Sequence, residues 1–445
     1  MHQNLTDCVN NLHYEKFQDG TVKCIEDEIP FEVPEGWSWA RLRDICMMSA
    51  GKSKSTVHIK SEPFEGSYPC FGGNGVRGYV DEYNQDGIFS IVGRQGALCG
   101  NINIAIGKFY ATEHAVVTTL FDGIDFKWSN YILEALQLNN YATGAAQPGL
   151  SVANILNVFV PVPPTQEQDR IGNNVYESLK IVEALEQEKI DLQKNIITAK
   201  TKILDLAICG KLVPQDPNDE PASVLLERIR AEKEELIKQG KIKRDKKESV
   251  IFRGDDNSYY ENLPHNWQVT SLREITTPLT LNDGDWILSQ NMVNIGEVKL
   301  LQLGSIGNMI YLDKGFKYLT IDTFNELCCT EIFSGYLLIN RIINDKMCCC
   351  IVPQINGKII TTVDTCWIAP TETSYDIKFL MYQLASPNFQ NKVLSKTSGT
   401  TRRRISKSNL IDLPLFLPPL DEQRRIVEAI EKIFIKLDEI VSQVV

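Results

Sequence analysis

Three stretches of the sequence approach a known reactive or ligand-binding pattern, and each lacks a part. Phe71-Gly72-Gly73-Asn74-Gly75 satisfies the FxGxG pattern with which a methyltransferase loop approaches S-adenosylmethionine. Such a loop needs a buried strand ahead of it, and Ser67-Tyr68-Pro69-Cys70 does not read as one. There is also no D/N-P-P-aromatic tetrad to receive a flipped base, because the two Pro-Pro pairs run into Thr165 and Leu420. The glycines are therefore read as a turn. Around Gly51 the sequence AGKSKS resembles the end of a phosphate-binding loop, but Cys46 stands where the earlier glycine belongs. The 12 cysteines include Cys328-Cys329 and Cys348-Cys349-Cys350, yet no CxxC pair occurs, and the five histidines have no metal-ligand spacing. Reduced buried or edge thiols are expected, with no metal and no cofactor of the chain's own. No nucleophile or acid–base pair stands out, so the chain reads as non-catalytic.

The elements that would position any site come from a tandem duplication. Gly144 to Ile171 aligns without a gap on Gly399 to Ile426 at an offset of 255, with nine of 28 positions identical. An earlier block, VPEGWSWARLRDI from Val33, matches LPHNWQVTSLREI from Leu263 at an offset of 230. Between opening and closing blocks lie 98 residues in copy one (Cys46 to Thr143) and 123 in copy two (Thr276 to Ser398), with little resemblance to one another. Like frames around unlike contents suit two different recognition surfaces held in equivalent positions. A duplicated enzyme would repeat its middle.

Bulk composition narrows the class. A chain of 445 residues with 43% hydrophobic residues can bury two or three cores. No signal peptide and no apolar run of about 18 residues is apparent, so a soluble cytoplasmic protein without a membrane partner is expected. The net charge of -11 argues against coating nucleic acid by bulk attraction. Local basic patches remain compatible with DNA, helped by a more basic partner.

From Ile171 a 4-3-4-3 spacing runs through Val175, Ser178, Val182, Leu185, Lys189, Leu192, Ile196, Ala199, Ile203 and Leu206, the pattern of a long coiled-coil helix. It ends near Gly210, and a proline-rich turn leads to a second helix, SVLLERIRAEKEELIKQG, striped by Leu226, Ile229, Lys233 and Leu236. An antiparallel hairpin is expected. Ile426, Ile430, Ile433, Leu437 and Ile440 repeat the register in a shorter C-terminal helix. The lead YEKFQDGTVKCIEDEIPFE corresponds in position to KKESVIFRGDDNSYYEN ahead of Leu263, which suggests a circular organisation with a pseudo-twofold axis and the helices as a rigid spacer. The middles read as short strands broken by glycine, with one helix each at KWSNYILEALQL and DIKFLMYQLAS. The fold class is α+β: two mixed α/β domains separated by long antiparallel coiled-coil helices in a pseudo-twofold tandem repeat. The segments expected are 1–165, 166–245 (helical), 246–419 and 420–445 (helical).

The P-P-x-x-E-Q-x-R-I blocks at Pro163 and Pro418, the P-x-x-W-x-x-x-x-L-R-x-I blocks at Pro34 and Pro264, and the ILDLAICGKLVPQDPNDEPASVLLERIRAEKEEL region resemble specificity subunits of type I restriction-modification systems over nearly the whole chain. The resemblance implies that each of two target-recognition domains reads one half of a split double-stranded DNA site. It implies that the helices set the gap and bind modification (methyltransferase) subunits, two of them, with restriction (endonuclease, translocase) subunits as further partners. S-adenosylmethionine, ATP and Mg are then expected on those partners. The shorter C-terminal helix departs from the pattern and would weaken one partner contact.

Under that resemblance, base readout requires Arg, Lys, Asn or Gln on loops able to enter the major groove. The candidates are Lys52, Lys54, Asn74, Arg77, Arg94 and Gln95 in domain one, and Arg341, Lys346, Arg402, Arg403 and Arg404 in domain two. The arginine run replaces Gln147-Pro148-Gly149 of copy one. Lys241 to Lys247 reads as a solvated helix end or a phosphate contact. Partner contact is assigned to Glu167, Gln168, Arg170, Glu422, Gln423 and Arg425. A helical scaffold or adaptor that touches no DNA would show the same heptads and divergent domains.

Overall fold

A computed structural model describes residues 12–144, 148–245, 263–399 and 402–444. The chain forms two compact units, Met1–Gln187 and Glu188–Val445. Unit one opens with the hairpin β1 (Tyr14–Lys16) and β2 (Val22–Cys24), then β3 (Ser38–Arg41) and α1 (Leu42–Ile45). Its sheet uses β4 (Cys46–Ala50), β5 (Tyr68–Gly72), β6 (Gly75–Val80), β7 (Gln85–Gly93), β8 (Ile102–Ala111) and β9 (Ala115–Leu120). Then follow α2 (Phe126–Ala135), α3 (Val152–Ile155), β10 (Phe159–Val162) and the start of α4 (Thr165–Ile208). Unit two takes the rest of α4 and adds α5 (Ala222–Lys238), β11 (Gln268–Ser271), α6 (Leu272–Ile275), β12 (Leu281–Asp283), β13 (Val298–Leu301), β14 (Lys317–Leu319) and α7 (Ile321–Glu326). It continues through β15 (Leu337–Asn340), β16 (Ile342–Ile343), β17 (Cys349–Ile351), β18 (Lys358–Thr361) and β19 (Thr365–Ile368). It closes with α8 (Ile377–Ala385), α9 (Pro387–Ser395), β20 (Arg403–Arg404), α10 (Lys407–Ile411), β21 (Pro414–Leu417) and α11 (Leu420–Val444).

The two conserved blocks of each copy meet as one antiparallel ribbon. β3 pairs with β10, placing Ser38 opposite Val162, and β11 pairs with β21, placing Gln268 opposite Leu417. These partners are one another's equivalents at the offsets 230 and 255, so the register is identical. Behind the ribbon, the repeated glutamine acts as a staple. Gln168 accepts from the Asp125 N–H at 2.8 Å and donates to the Pro163 carbonyl at 2.9 Å. Gln423 accepts from the Asp376 N–H at 2.8 Å and donates to the Pro418 carbonyl at 3.0 Å. Asp125 and Asp376 in turn cap α2 and α8 through their carboxylates. Gln168 and Gln423 are 2% and 0% exposed, which corrects the expectation that they face a partner: both polar ends are consumed inside the fold.

The middles, dissimilar in sequence, share one topology. Unit one has the sheet order β4-β9-β7-β8-β5-β6. Unit two has β12-β19-β15-β17 and β14-β13-β18, which is the same order with the long β8 divided into β17 and β18. Between them lies Val352 to Gly357, where Pro353 offers no N–H to a ladder and Gly357 sits at φ 90°. β5 runs parallel to β8, and β13 runs parallel to β18. Tyr68–Gly72 is a strand after all, with Cys70 and Phe71 buried, and Gly73-Asn74 turns it directly into β6, so the glycine run closes a hairpin. Gly51 and Gly284 end β4 and β12, and a Cβ there would stand 2.1 Å from the Ala111 carbonyl oxygen or 2.4 Å from that of Thr362.

The long helix forms as the heptads predict, 44 residues or about 66 Å. Ile196 and Leu204 are buried, whereas Val182 is 49% and Leu185 58% exposed. Lys200 lies over Phe434 and pairs with Asp438 at 2.6 Å, while Gln215, beyond the end of α4, reaches Glu422, so α4 and α11 run antiparallel within unit two. α5 shares a core with the end of α4, where Leu204 and Ala207 are buried. Leu225, Leu226 and Ile229 enter the core formed with Trp267, Leu272 and Ile275, and Lys233 donates to the Arg273 carbonyl at 2.7 Å. The KKESVIFRGDDNSYYEN lead lies outside the described residues, as do Lys246 and Lys247; Arg244 pairs with Glu234 at 2.6 Å. No described helix is long and apolar enough to cross a membrane.

Burial explains the cysteines. It pushes the thiols of Cys46, Cys350 and Cys366 up to about 12 and that of Cys329 to about 11, beyond thiolate formation near neutrality. Among the described residues, no group of three or more His, Cys, Asp or Glu is placed to hold a metal.

Candidate nucleic-acid interface

In each unit one end of the sheet is built by the same backbone hydrogen bonds. In unit one the Arg94 N–H donates to the His114 carbonyl, the Leu150 N–H to the Arg94 carbonyl, and Gly149 and Thr143 exchange two bonds. In unit two the Arg341 N–H donates to the Asp364 carbonyl, the Ile405 N–H to the Arg341 carbonyl, and Arg404 and Ser398 exchange two bonds. Gly51 and Lys52 donate to Ala115 and Ala111 as Gly284 and Asp285 donate to Thr365 and Thr361. Arg94 and Arg341 are thus structural equivalents, a match invisible in the aligned blocks.

What stands on this skeleton differs. In unit one two open depressions of about 420 and 380 Å³ share Gln95 and His114; the first adds Asn74, Gly73 and Leu98, the second Arg94, Glu113, Thr143 and Ser151. Asn74 accepts from Asn101 Nδ2 at 2.8 Å, which leaves its own amide nitrogen as a donor. The structure thus brings Asn74, Arg94 and Gln95 together, with exposed Lys52 beside the same turn through its bond to Ala111. Arg77 is exposed on β6 with its stem over Gly72, and Lys54 is held by Glu82 at 2.6 Å and Asp81 at 3.8 Å. The hydrogen bond to Glu82 raises the Lys54 ammonium above its ordinary value. Neither residue lines the depressions.

In unit two a depression of about 660 Å³ is lined by Trp286, Leu288, Gln302, Gly304, Thr362, Asp364, Arg402 and Arg404. Asp364 holds Arg404 at 3.0 Å and Arg402 at 3.4 Å, and Arg403 beside them is exposed. Two guanidiniums face one carboxylate, so the rim carries net positive charge where an anion would arrive. Arg341 departs from its expected role. It is 4% exposed, lies 3.1 Å from Asp283 and donates to the Val363 carbonyl, so it supports the loop from below. Lys346 is exposed in the turn between β16 and β17, away from this depression. Trp286, 68% exposed on the rim, and Gln302 went unnoticed in the sequence; an isolated Trp or Gln in a divergent middle gives no periodic signal.

The remaining residues of the closing block form a clamp. In unit two, Glu422 is fully buried and accepts from Trp267 Nε1 at 3.0 Å and Gln215 Nε2 at 2.5 Å. Arg425 grips Asp219 with two bonds of 3.0 and 2.5 Å. Gly210 packs so closely on Pro264 and Trp267 that a Cβ would meet Pro264 Cγ at 2.4 Å. Glu422 and Arg425 therefore bind a turn of this same chain, a correction to their assignment as partner contacts. Burial raises the Glu422 carboxyl above its ordinary value, against the lowering effect of the Trp267 and Gln215 bonds. Glu167 and Arg170, their equivalents, are half-buried and exposed.

The family described as "Type I restriction modification DNA specificity domain" matches residues 34–202 and 264–444, one match per copy. The chain is 45% identical over 151 residues to the Escherichia coli type I restriction enzyme EcoprrI specificity subunit, covering 33% of this chain and 36% of that one. It is 30% identical over 275 residues to the EcoEI specificity subunit of Escherichia coli, covering 57% and 42%. The chain thus spans well under two thirds of the length of these relatives. Among solved structures, an HsdS subunit from Thermoanaerobacter tengcongensis matches at 15% identity and a TM-score of 0.52, over 94% of this chain and 93% of that one. Another, from work on complex assembly of the type I R-M system, matches at 16% and 0.55, over 93% and 94%. With both copies matched over most of the chain, it belongs to the type I restriction modification DNA specificity family.

Proposed function

We propose that the chain is the DNA sequence-specificity subunit of a type I restriction-modification complex and acts in the cytoplasm. Each unit reads one half of a split duplex site through the loops at its sheet end. α4 sets the gap between the halves, and two modification subunits join the chain, with restriction subunits where the system carries them. Methyl transfer from S-adenosylmethionine and ATP- and Mg-dependent cleavage then belong to those partners, and this chain contributes no catalytic group. The observation that carries this reading is one backbone skeleton, used twice, with different donors mounted on it: Asn74, Arg94 and Gln95 in one copy, Arg402, Arg403 and Arg404 in the other. Such donors suit base edges and phosphates. The test is single-molecule sequencing of DNA from cells expressing this chain with its methyltransferase partner, against the methyltransferase alone. N6-methyladenine at a split motif only when the chain is present is expected. A complex that forms and leaves no new methylation would favour a scaffold instead.

A further inference from the structure

We propose that Trp37, Glu167 and Arg170 form a docking site for a turn of a partner chain that presents a side-chain amide and, four residues later, a carboxylate. The three residues occupy the positions of Trp267, Glu422 and Arg425 at the duplication offsets of 230 and 255. In unit two that trio is closed by the turn after α4, whose Gln215 donates to Glu422 and whose Asp219 receives the Arg425 fork. In unit one the ribbon that lies between Trp37 and α4, the helix bearing Glu167 and Arg170, has the same register, so the same frame is present. Its ligands are missing among the described residues. Trp37 Nε1 is sealed from solvent and has no hydrogen-bond acceptor, although its twin donates to Glu422 at 3.0 Å. An N–H buried without a partner loses its hydration and gains nothing in return, so a contact that supplies the acceptor is favoured. Arg170 is exposed and makes no ion pair among the described residues.

The chemistry of the occupant follows from the filled twin. An amide reaching Glu167 would fix that carboxylate where Trp37 can donate to it, as Gln215 does for Glu422. A carboxylate four residues on would take both arms of the Arg170 guanidinium. Among the described residues, the turn that answers this chemistry in unit two is tethered on both sides there, and its high effective concentration keeps it engaged. The occupant of unit one is therefore placed on another chain. The inference rests on the reading of the chain as a subunit with partners, but its test involves no DNA, so failed methylation and a failed clamp are separate outcomes.

The experiment follows the tryptophan indole N–H signals of the full-length chain, nitrogen-15 labelled, with the Trp37 signal identified by its loss in Trp37→Phe. The probe is the synthetic peptide GKLVPQDPNDEPA, the sequence of residues 210–222. On titration to about 5 mM, several times a weak Kd of ~1 mM, the Trp37 signal is expected to move downfield while Trp267 stays. Arg170→Asp abolishes the movement, and a peptide carrying Asp219→Arg restores it in that variant. A Trp37 signal that does not move, or that moves equally in Arg170→Asp, overturns the proposal. So does a Trp37 signal already downfield without peptide that shifts upfield when residues 1–11 are deleted, because the chain's own N-terminus would then fill the clamp.

Discussion

Copy one and copy two hold the same six-position sheet and the same loop anchors, yet at the position where copy one has Pro148-Gly149, copy two has Arg403-Arg404, with Arg402 ahead of them. Their equivalent arginines also part ways: Arg94 is exposed, and Arg341 is buried against Asp283. The comparison separates two jobs that a recognition domain must do. Backbone bonds fix where the loops start, and they tolerate any side chain; the side chains above them are then free to diverge. At the opposite end the copies are alike in residues and differ in occupancy, with Glu422 gripping its own chain and Glu167 carrying no such turn among the described residues.

Substitutions in either copy test this contrast. The largest effect is expected from giving copy two the loop of copy one, Arg402→Gln with Arg403→Pro and Arg404→Gly. Losing three guanidiniums at about 1–3 kcal/mol for each base-reading contact should weaken binding to the native site a hundredfold or more, measured by fluorescence anisotropy at fixed salt. The half-site read by unit one should be unchanged; a loss spread over both halves would contradict independent units. Next come Gln168→Ala and Gln423→Ala. Each removes two buried hydrogen bonds and leaves a backbone N–H and a carbonyl unpaired, so each should cost about 2–4 kcal/mol in urea unfolding. Unequal costs would show that the two staples are not equivalent. Arg425→Ala should cost about 1 kcal/mol, because the pair with Asp219 is only partly screened, while Arg170→Ala should leave the stability of the isolated chain unchanged. The smallest effect concerns pH. The Glu422 carboxyl titrates above its ordinary 4.5 in the folded chain, so its contribution is fully present below that value and is lost as pH rises through the folded one. Glu422→Gln should flatten that part of the stability profile; a steeper profile would contradict the sign.

Much of this was legible in the residues. The duplication offsets marked the opening and closing blocks of each copy, but not that these blocks pair as the β3–β10 and β11–β21 ribbons, because an offset aligns one copy with the other and does not speak of pairing within a copy. The heptads predicted α4, because its pattern is periodic and long. The shared topology of the middles was not legible, since a strand needs only alternating apolar residues and many sequences meet that need. Gln168 and Gln423 looked like partner contacts because a repeated polar residue invites that reading, yet their neighbours Asp125 and Asp376 lie 43 and 47 residues away and only the fold brings them together. Arg341 failed as a base reader for a similar reason: its counter-ion Asp283 is on a distant strand.

The spacer role proposed for α4 can be examined by mapping methylation. Deleting one heptad, 182–188, shortens the helix by about 10 Å and should change the gap while leaving both half-sites intact. Whether the units are two independent readers on one skeleton is decided by mapping N6-methyladenine in cells that carry the methyltransferase and the chain with the copy-one loop placed at 402–404. A split motif with one half altered or lost and the other half and the gap preserved is expected. A motif that changes in both halves, or stays the same in both, would contradict it.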